Sequence, residues 1–514
     1  MKKLVSLLLA MIMLMSAFSF AIAEEPYKIS VICTFYGENT PVTDDSNALW
    51  SKLEEMTNTE WDITWVAPGD AAQKFNTVMA STDQPMLYVL PSGATTNANY
   101  IDMCQSGIFW DLTDYIQSND LFREELSTPA ALNATSIDGR NYLWPLIASA
   151  TRLGVIYRQD WMDALNAKGY NLVPPTNIEE FKAMVEAFST GDPDGNGIND
   201  TIGFAYCDDD DEELDYAGFN LIQAMTGGPV GWGFTEDDKL MPYYFFDEYF
   251  ETLDVFKWMY DNGYMNSDFA VNTNKHDPLA NNWSGSMCTS ATGAASNDYD
   301  NLNSIVGEGK WKIVPQQEFY TAEGKRVTSS TMTPGSLDGV LISKIAVPTE
   351  EELLKLLDVI ETFMEKGEVN QIMSCGIEGV HYNIVDGMAV STDEQKVLKG
   401  LEEQAVCSYM LPRRINGIEY MAGEETEQAK LRKEILAKCE ECEPYAVVDQ
   451  STPYMTTDLR NQQFQLATII SDARVKYMVG QIDKEGFIAE TNRWLAEGGQ
   501  EIVDAVNAAY QASK

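Results

Sequence analysis

Apolar runs and amphipathic stretches alternate through the first 90 residues. Apolar residues concentrate at Lys28–Thr34 and Trp61–Val66, and helical spacing of apolar positions follows each run, at Ser46–Thr57 and Asp70–Ala80. The short apolar run Met86–Leu90 has a proline on either side, which is typical of a buried strand in a parallel sheet. This alternation predicts an open, doubly wound α/β sheet.

The same alternation restarts in the middle of the chain. Arg152–Tyr157 has the pattern of a strand, and helical patterns follow at Gln159–Ala167 and Asn177–Ser189. We interpret the restart as a second α/β lobe. The remaining predicted elements are a helix at Phe245–Asn262, a strand at Ser336–Ala346, a helix at Thr349–Lys366, and mainly helices from residue 393 onward.

The N-terminus has the features of a secretory signal peptide. Two lysines precede an apolar run from Leu4 to Met15, and Ala21-Ile22-Ala23 offers small residues at the positions that signal peptidase reads. We expect cleavage after Ala23; the alternative is an uncleaved anchor, because about twenty apolar residues can span a bilayer. No lipid-accepting cysteine follows, since Cys33 lies inside an apolar strand. The sequence predicts an exported protein, periplasmic or extracellular.

Charge and composition exclude several classes of function. The 514 residues carry a formal charge of −44, and a chain of this sign is repelled by nucleic acids and anionic lipids. Only two histidines are present, which leaves little material for a histidine-rich zinc site or a Ser-His-Asp triad. Cys439-x-x-Cys442 has neither a second cysteine pair nor a nearby histidine, so we interpret it as part of a helix face rather than a redox or metal site.

One loop has the ligand spacing of a calcium site. Oxygen-bearing side chains stand at alternate positions one, three, five and nine of Asp192–Asp200, with Gly197 at position six. Position twelve is Gly203 where an EF-hand requires glutamate, so the loop differs from an EF-hand. The alternative is a metal-free turn after a helix. The predicted ligands of a structural Ca²⁺ are the side chains of Asp192, Asp194, Asn196 and Asp200 and the carbonyl of Ile198.

Several weak motifs, in a fixed order, extend over nearly the whole mature chain. They are Ala80–Leu87, Trp110–Ile116, Ile137–Pro145, Tyr157–Trp161, Pro175–Phe181, the loop Asp192–Asp200, Gly376–Tyr382 and Gly486–Tyr510. Together they resemble the extracellular solute-binding proteins, family 1, of bacterial ABC importers. The chain is most similar to the long-chain subgroup with calcium-containing oligosaccharide- and alginate-binding members.

The resemblance implies a two-lobe, periplasmic-binding-protein-like clamp of type II. Each lobe is expected to be a doubly wound sheet flanked by helices, with ligand held in the cleft between the lobes. The expected N-terminal lobe comprises 24–145 and 335–380, and the C-terminal lobe comprises 146–334 and 381–514. Crossovers are therefore expected near residues 145, 335 and 380. We interpret His381 as a hydrogen-bonded hinge residue, with ligand contact as the alternative.

Sugar recognition directs attention to aromatic residues in loops. The apolar face of a pyranose stacks on Trp or Tyr, while carboxylates and amides bind its hydroxyls. Most aromatics of this chain must belong to the core, and each loop candidate has the same alternative. The candidate ligand contacts are Tyr36, Glu38, Trp144, Trp232 and Trp283.

The leading hypothesis is a transport receptor without catalytic activity. It would be a monomer that captures a carbohydrate, expected to be an oligosaccharide, and delivers it to the membrane subunits of an ABC importer. Other solutes such as peptides remain open as ligands. The alternative class is a secreted carbohydrate-active enzyme that uses a pair of carboxylates.

Overall fold

The computed structural model describes residues 25–35, 40–67, 70–90, 103–125, 132, 136–137, 139–146, 152–207, 218–271, 279, 281–295, 299–326, 328–329, 338–365, 367–385, 388–406, 427–442, 446–447, 449–451 and 453–514. The predicted signal peptide at residues 1–23 lies outside these ranges. No helix within the ranges is both long enough and apolar enough to cross a membrane.

The strands are β1 (Tyr27–Thr34), β2 (Thr59–Val66), β3 (Leu87–Leu90), β4 (Leu143–Leu146), β5 (Leu153–Arg158), β6 (Trp232–Phe234), β7 (Leu240–Pro242), β8 (Ser286–Ser290), β9 (Trp311–Pro315), β10 (Thr328–Ser329), β11 (Asp338–Ile342), β12 (Asn383–Val385), β13 (Met388–Val390) and β14 (Ala446–Val447). A single-turn 3₁₀ helix, Gln316–Glu318, follows β9 directly.

The α-helices are α1 (Ala48–Thr57), α2 (Ala71–Met79), α3 (Thr113–Ser118), α4 (Gln159–Ala167), α5 (Ile178–Thr190), α6 (Gly218–Thr226), α7 (Asp247–Asp261), α8 (Ala291–Ala294), α9 (Tyr299–Val306), α10 (Glu350–Met364), α11 (Glu368–Cys375), α12 (Asp393–Val406), α13 (Glu427–Cys442), α14 (Thr457–Met478), α15 (Lys484–Trp494) and α16 (Gln500–Ala512). A second 3₁₀ helix, Tyr243–Phe245, precedes α7, and a π-helical turn occurs at Leu121–Glu125. A kink at Gly498, where φ is 136°, separates α15 from α16.

The predicted elements agree with the observed ones to within a few residues. The helix predicted at Gln159–Ala167 has those bounds, and the one predicted at Thr349–Lys366 is α10. Local signals explain the starts: Asn47 caps α1, Asn177 caps α5, and Thr349 with Glu352 forms a capping box on α10.

The first lobe is built on a five-stranded sheet of order β2-β1-β3-β11-β4. β1 pairs in parallel with β2 and β3, and β11 runs antiparallel between β3 and β4. Alternate residues of β1 fill two cores, because Val31 packs in the cluster on one face and Ile32 in the cluster on the other. Both faces are covered, as the apolar runs predicted.

The second lobe has a smaller sheet of order β8-β5-β9, antiparallel throughout. β5 is buried along its whole length, with Val155 in the large cluster on one face and Ile156 in a smaller cluster on the other. The large cluster also contains residues of α14, α15 and α16, so the C-terminal helices belong to this lobe. The predicted two-lobe α/β architecture is confirmed. Beside the three named strands of the second lobe, isolated parallel bridges join Phe204 to Met265 and Ala205 to Met287.

Each hydrophobic cluster of described residues lies wholly within one lobe. The chain passes from lobe to lobe between Leu146 and Arg152, between Ser329 and Asp338, and between Val406 and Glu427. Two separate cores, between which the chain passes three times, provide the architecture of a hinged clamp.

The third crossover differs from the prediction. We placed it near residue 380 and assigned residues 381–406 to the C-terminal lobe, but α12 packs against α1 of the first lobe. Glu402 of α12 accepts a hydrogen bond from the Leu49 backbone N–H at 2.9 Å, and the Asn47 side chain donates to the Glu402 carbonyl at 3.0 Å. These buried bonds fix α12 on the first lobe, so the boundary moves beyond residue 406.

Candidate ligand-binding site

The crossovers identify the sheet edges that face the cleft between the lobes. In the first lobe, Leu146 at the end of β4 pairs with Asp338 at the start of β11, and Leu90 at the end of β3 pairs with Gly339. In the second lobe, Leu153 at the start of β5 pairs with Ser290. Ligands of open α/β sheets bind outside the carboxyl ends of the strands, so these edges bound the candidate site.

Tyr36 and Glu38 follow β1 in the sequence. Both lie outside the described residues. Their role as ligand contacts stays a prediction.

Trp144 is a core residue, which corrects our prediction for it. Its side chain is 2% exposed and packs edge-on against Phe122, with ring centroids 3.8 Å apart. Strand alternation places Trp144 on one face of the sheet and its neighbour Leu143 on the other. A buried ring offers no face for a sugar, so the position of Trp144 near a crossover was a misleading signal.

Trp232 is also buried, at 1% exposure, in the large cluster of the second lobe. Its indole Nε1 donates to Gln463 Oε1 at 3.1 Å, and its backbone carbonyl accepts from the Gln450 N–H at 3.2 Å. The glycine-rich segment around it serves this packing, because a Cβ on Gly231 would lie 2.1 Å from the Asp449 carboxylate. This prediction is corrected in the same way.

Asp449 anchors that glycine-rich segment. Its Oδ1 accepts hydrogen bonds from the Ser451 N–H and hydroxyl, both at 2.7 Å. Desolvation of the enclosed carboxyl raises the pKa of Asp449 to about 6, against the opposing effect of bonds from Ser451 and the Trp232 N–H. The group therefore titrates close to neutral pH.

Trp283 is partly exposed, at 36%, but it lies at the far end of the second sheet. It precedes Ser286, which pairs with Tyr157 at the end of β5 that points away from the crossovers. The Trp283 carbonyl accepts from the Ile202 N–H at 2.7 Å, next to the calcium-like loop. The structure thus does not bring the three described tryptophan candidates together.

Sequence reasoning missed a group of buried polar residues at the crossover end of the second lobe. Gly154, near the start of β5, pairs with Thr289 of β8 on one side and with Pro315 of β9 on the other. The 3₁₀ turn begins at the residue after Pro315. We did not predict β9, so the polar residues after it carried no positional signal. The members of the group are Arg152, Thr289, Gln316 and Gln317.

The calcium-like loop is closed by its own side chains. The Asn196 amide nitrogen donates to Asp194 Oδ2 at 2.9 Å and to Asp200 Oδ1 at 3.1 Å. Asp192 Oδ1 accepts from the Gly197 N–H at 3.2 Å, and the positive φ of Gly197 allows that turn. The carboxylates of Asp194 and Asp200 thus both accept hydrogen bonds from the Asn196 amide. The Ile198 side chain is exposed.

The donor set fits a hard cation in its chemistry. All the predicted ligands supply oxygen, and turning the Asn196 amide would present oxygen in place of nitrogen. Within the described ranges no three His, Cys, Asp or Glu side chains are gathered closely enough to hold a metal ion. A calcium site here would therefore need the amide and carbonyl oxygens as well as the carboxylates.

His381 is a fully buried, hydrogen-bonded residue of the first lobe. Its Nδ1 accepts from the Ile377 N–H at 2.9 Å, so Nε2 carries the proton and donates to Glu402 Oε2 at 3.0 Å. The same carboxylate oxygen accepts from the Leu49 N–H and so caps α1. The predicted hydrogen bonding is present, and its structural effect is to hold α12 on the first lobe.

The two-lobe α/β fold is shared with several solved solute-binding proteins. Among solved structures, the chain is similar to the alginate-binding protein AlgQ2 without calcium ion, with TM-score 0.65, 17% identity, and coverage of 96% of this chain and 99% of that one. It is also similar to an EF-hand mutant of the Streptococcus pneumoniae substrate-binding protein FusA in complex with fructo-nystose, with TM-score 0.68, 16% identity, and coverage of 95% and 100%.

Two curated proteins of Bacillus subtilis (strain 168) match nearly the full length. Lipoprotein LipO is 28% identical over 496 residues, covering 95% of this chain and 93% of LipO. The polygalacturonan/rhamnogalacturonan-binding protein YtcQ is 27% identical over 495 residues, covering 96% and 93%. No protein-family model matches the chain.

Proposed function

We propose that this protein is the solute-binding component of an ABC importer, and that its ligand is an oligosaccharide. The observation that carries the proposal is the pair of separate hydrophobic cores joined by crossovers. Full-length similarity to a polygalacturonan/rhamnogalacturonan-binding protein supports a carbohydrate as the ligand. The described tryptophan candidates lie elsewhere, so polar side chains at the cleft edges become the better contacts.

The two cores explain how capture would work without chemistry. Each lobe moves as a packed body, and ligand that touches both lobes stabilises the closed arrangement. The membrane subunits of the importer would then distinguish the closed, loaded form from the open form. The protein acts as a monomer in this proposal.

We also propose that Ca²⁺ binds the loop Asp192–Asp200. When bound, the ion would neutralise the converging carboxylates and hold the loop between α5 and the bridge at Ile202. Similar proteins have been crystallised without calcium ion or as an EF-hand mutant, which supports calcium binding in this class. The Lys168 ammonium already bonds the Gly191 and Asp192 carbonyls, at 2.9 and 2.6 Å, from the other side.

Calcium binding can be tested by melting the chelated protein with and without added Ca²⁺. We expect Ca²⁺ to raise the melting temperature, because a ligand at one hundred times its Kd adds about 2.7 kcal/mol to stability. Asp194→Asn should lose most of this increase, and Asp472→Asn, a carboxylate on the exposed side of α14, should retain it. An unchanged melting temperature, with no heat on titration, would refute the calcium site.

Export by a cleaved signal peptide completes the proposal. One relative is named as a lipoprotein. In this chain the first cysteine after the predicted signal peptide, Cys33, is fully buried near the end of β1. A lipid cannot be attached to a core thiol without unfolding the strand, which supports a mature form without a lipid at that residue. Mass spectrometry of the exported protein would detect a lipid, or a terminus other than Glu24, as the contrary result.

A thermal-shift screen of the mature protein tests the main proposal. The panel would contain oligosaccharides from galacturonan, rhamnogalacturonan, fructan and high-mannose glycan, with dipeptides and tripeptides as the competing class. We expect at least one oligosaccharide, and no peptide, to raise the melting temperature. If only peptides raised the melting temperature, the ligand would be a peptide and not a carbohydrate. Release of shorter sugars during the assay would favour the alternative of a carbohydrate-active enzyme.

A further inference from the structure

Gln316 is a buried polar side chain that the fold itself does not use. It is the first residue of the 3₁₀ turn after β9, and it is 0% exposed. Throughout the described chain, neither its Oε1 nor its Nε2 finds a hydrogen-bonding partner. The backbone of the same residue is satisfied in the ordinary way, because its carbonyl accepts from the Phe319 N–H at 3.0 Å.

The position of Gln316 is at the cleft end of the second lobe. The 3₁₀ turn packs against β5, which the chain enters from the first crossover, and against β10, which leads into the second crossover. Pro315, the preceding residue, pairs with Gly154 at the start of β5. Gln316 thus lies between two of the points where the chain crosses to the first lobe.

An unpaired amide at such a place is costly. A buried donor or acceptor without a partner costs about 1–3 kcal/mol, and the great majority of buried polar groups in proteins are paired. Methionine would occupy nearly the same volume with no polar atom to satisfy. The amide is therefore better explained by a partner that comes from outside the chain.

We propose that Gln316 is a hydrogen-bonding contact for neighbouring hydroxyls of the captured solute. A primary amide offers two donors and an acceptor in one plane, and each sugar hydroxyl both donates and accepts, so one glutamine can serve two adjacent hydroxyls. The side chain is fully enclosed in the structure, so the proposal requires this turn to open towards the cleft when ligand enters. The inference rests on the proposed function and adds a specific contact to it.

A second buried amide in the same lobe gives a similar picture. Gln223 of α6 is 3% exposed; its Nε2 donates to the Pro229 carbonyl at 2.7 Å, but its Oε1 has no partner within the part of the chain that the structure describes. Half of this amide is used by the fold. The fold uses neither half of the Gln316 amide, so Gln316 is the stronger candidate for a ligand contact.

The test compares Gln316→Met with a matched control, Gln84→Met. Gln84 in the first lobe is buried with both ends bonded, since its Nε2 donates to the Met79 carbonyl at 2.8 Å and its Oε1 accepts from the Ser343 hydroxyl at 2.7 Å. Calorimetric titration would use the oligosaccharide of the thermal-shift panel that binds wild type most tightly. Melting without ligand would be measured in parallel.

We expect the two variants to separate. Gln316→Met should melt at or above the wild-type temperature without ligand and lose affinity by about tenfold or more, which corresponds to about 1.4 kcal/mol. Gln84→Met should melt lower and keep its affinity. Gln316→Asn, which keeps the amide on a shorter side chain, should recover part of the affinity that Gln316→Met loses.

Two results would overturn the inference, and they differ in scope. Wild-type affinity in Gln316→Met, or a fall in its melting temperature as large as that of Gln84→Met, would show that the amide serves the fold alone, and the transport function would stand. Failure of every oligosaccharide to bind wild type would remove the proposed carbohydrate ligand and this inference together.

Discussion

Three buried polar residues of the first lobe contrast with Gln316 of the second lobe. In the first lobe, Gln84, Asn47 and Glu402 each bond to backbone or side-chain groups of their own lobe. At the crossover end of the second lobe, Gln316 has both amide atoms unpaired. We infer that the three first-lobe residues stabilise the fold, whereas the Gln316 amide forms its hydrogen bonds with a bound ligand.

Trp144→Ala should have the largest effect on stability, and it tests whether the first-lobe core is separate from binding. Removing a buried indole leaves a cavity and should cost about 3–5 kcal/mol. The measurement is urea unfolding, with ligand affinity determined below the transition. Ligand affinity should stay near wild type, because the ring has no exposed face. A large loss of affinity in protein that is still folded would restore the original prediction of ligand stacking.

Glu402→Ala should come next, because it breaks the buried network that holds α12 on the first lobe. The change leaves His381 Nε2 and the Leu49 N–H without their acceptor, and we expect a loss of about 3 kcal/mol. Glu60→Ala is the matched control, since the exposed Lys28–Glu60 pair should contribute less than about 1 kcal/mol. Equal effects of the two changes would mean that α12 does not depend on this contact.

Asp449 provides a smaller, pH-dependent test in the second lobe. Its pKa of about 6 lies above the usual value of 3.8, so the folded protein binds a proton more tightly than the unfolded chain. The stability that this group contributes is complete below about pH 3.8 and is lost as the pH rises through about 6. Relative to Asp449→Asn, wild type should lose about 2 kcal/mol of unfolding free energy between pH 4 and pH 7. A constant difference, measured by urea unfolding at both pH values, would contradict the assigned enclosure of the carboxyl.

Much of the fold follows from the sequence because its signals are local. The apolar runs of β1 and β2, and the helical spacing of apolar positions that follows each run, act within a few residues. Such signals predicted strands and helices closely. They could not place the third crossover, because α12 is held by contacts between Glu402 and residues more than 350 positions away.

The candidate site was harder to predict, because burial is a property of the folded chain. Trp144 and Trp232 look like loop aromatics in the sequence. Strand alternation places Trp144 in the core of the first lobe. Trp232 lies in the core of the second lobe and bonds to Gln463, which is distant in the sequence. Gln316 carries no pattern in the sequence. Its interest arises only when its exposure and the unpaired state of its amide are known together.

The most direct test of the account is small-angle X-ray scattering of the mature protein, with and without the best oligosaccharide of the panel. The central claim is that two separately packed lobes close over a captured, chemically unchanged solute. We expect the radius of gyration to fall on saturation, with the sugar recovered intact by chromatography. An unchanged radius at saturation, or recovery of cleaved sugar, would contradict the claim.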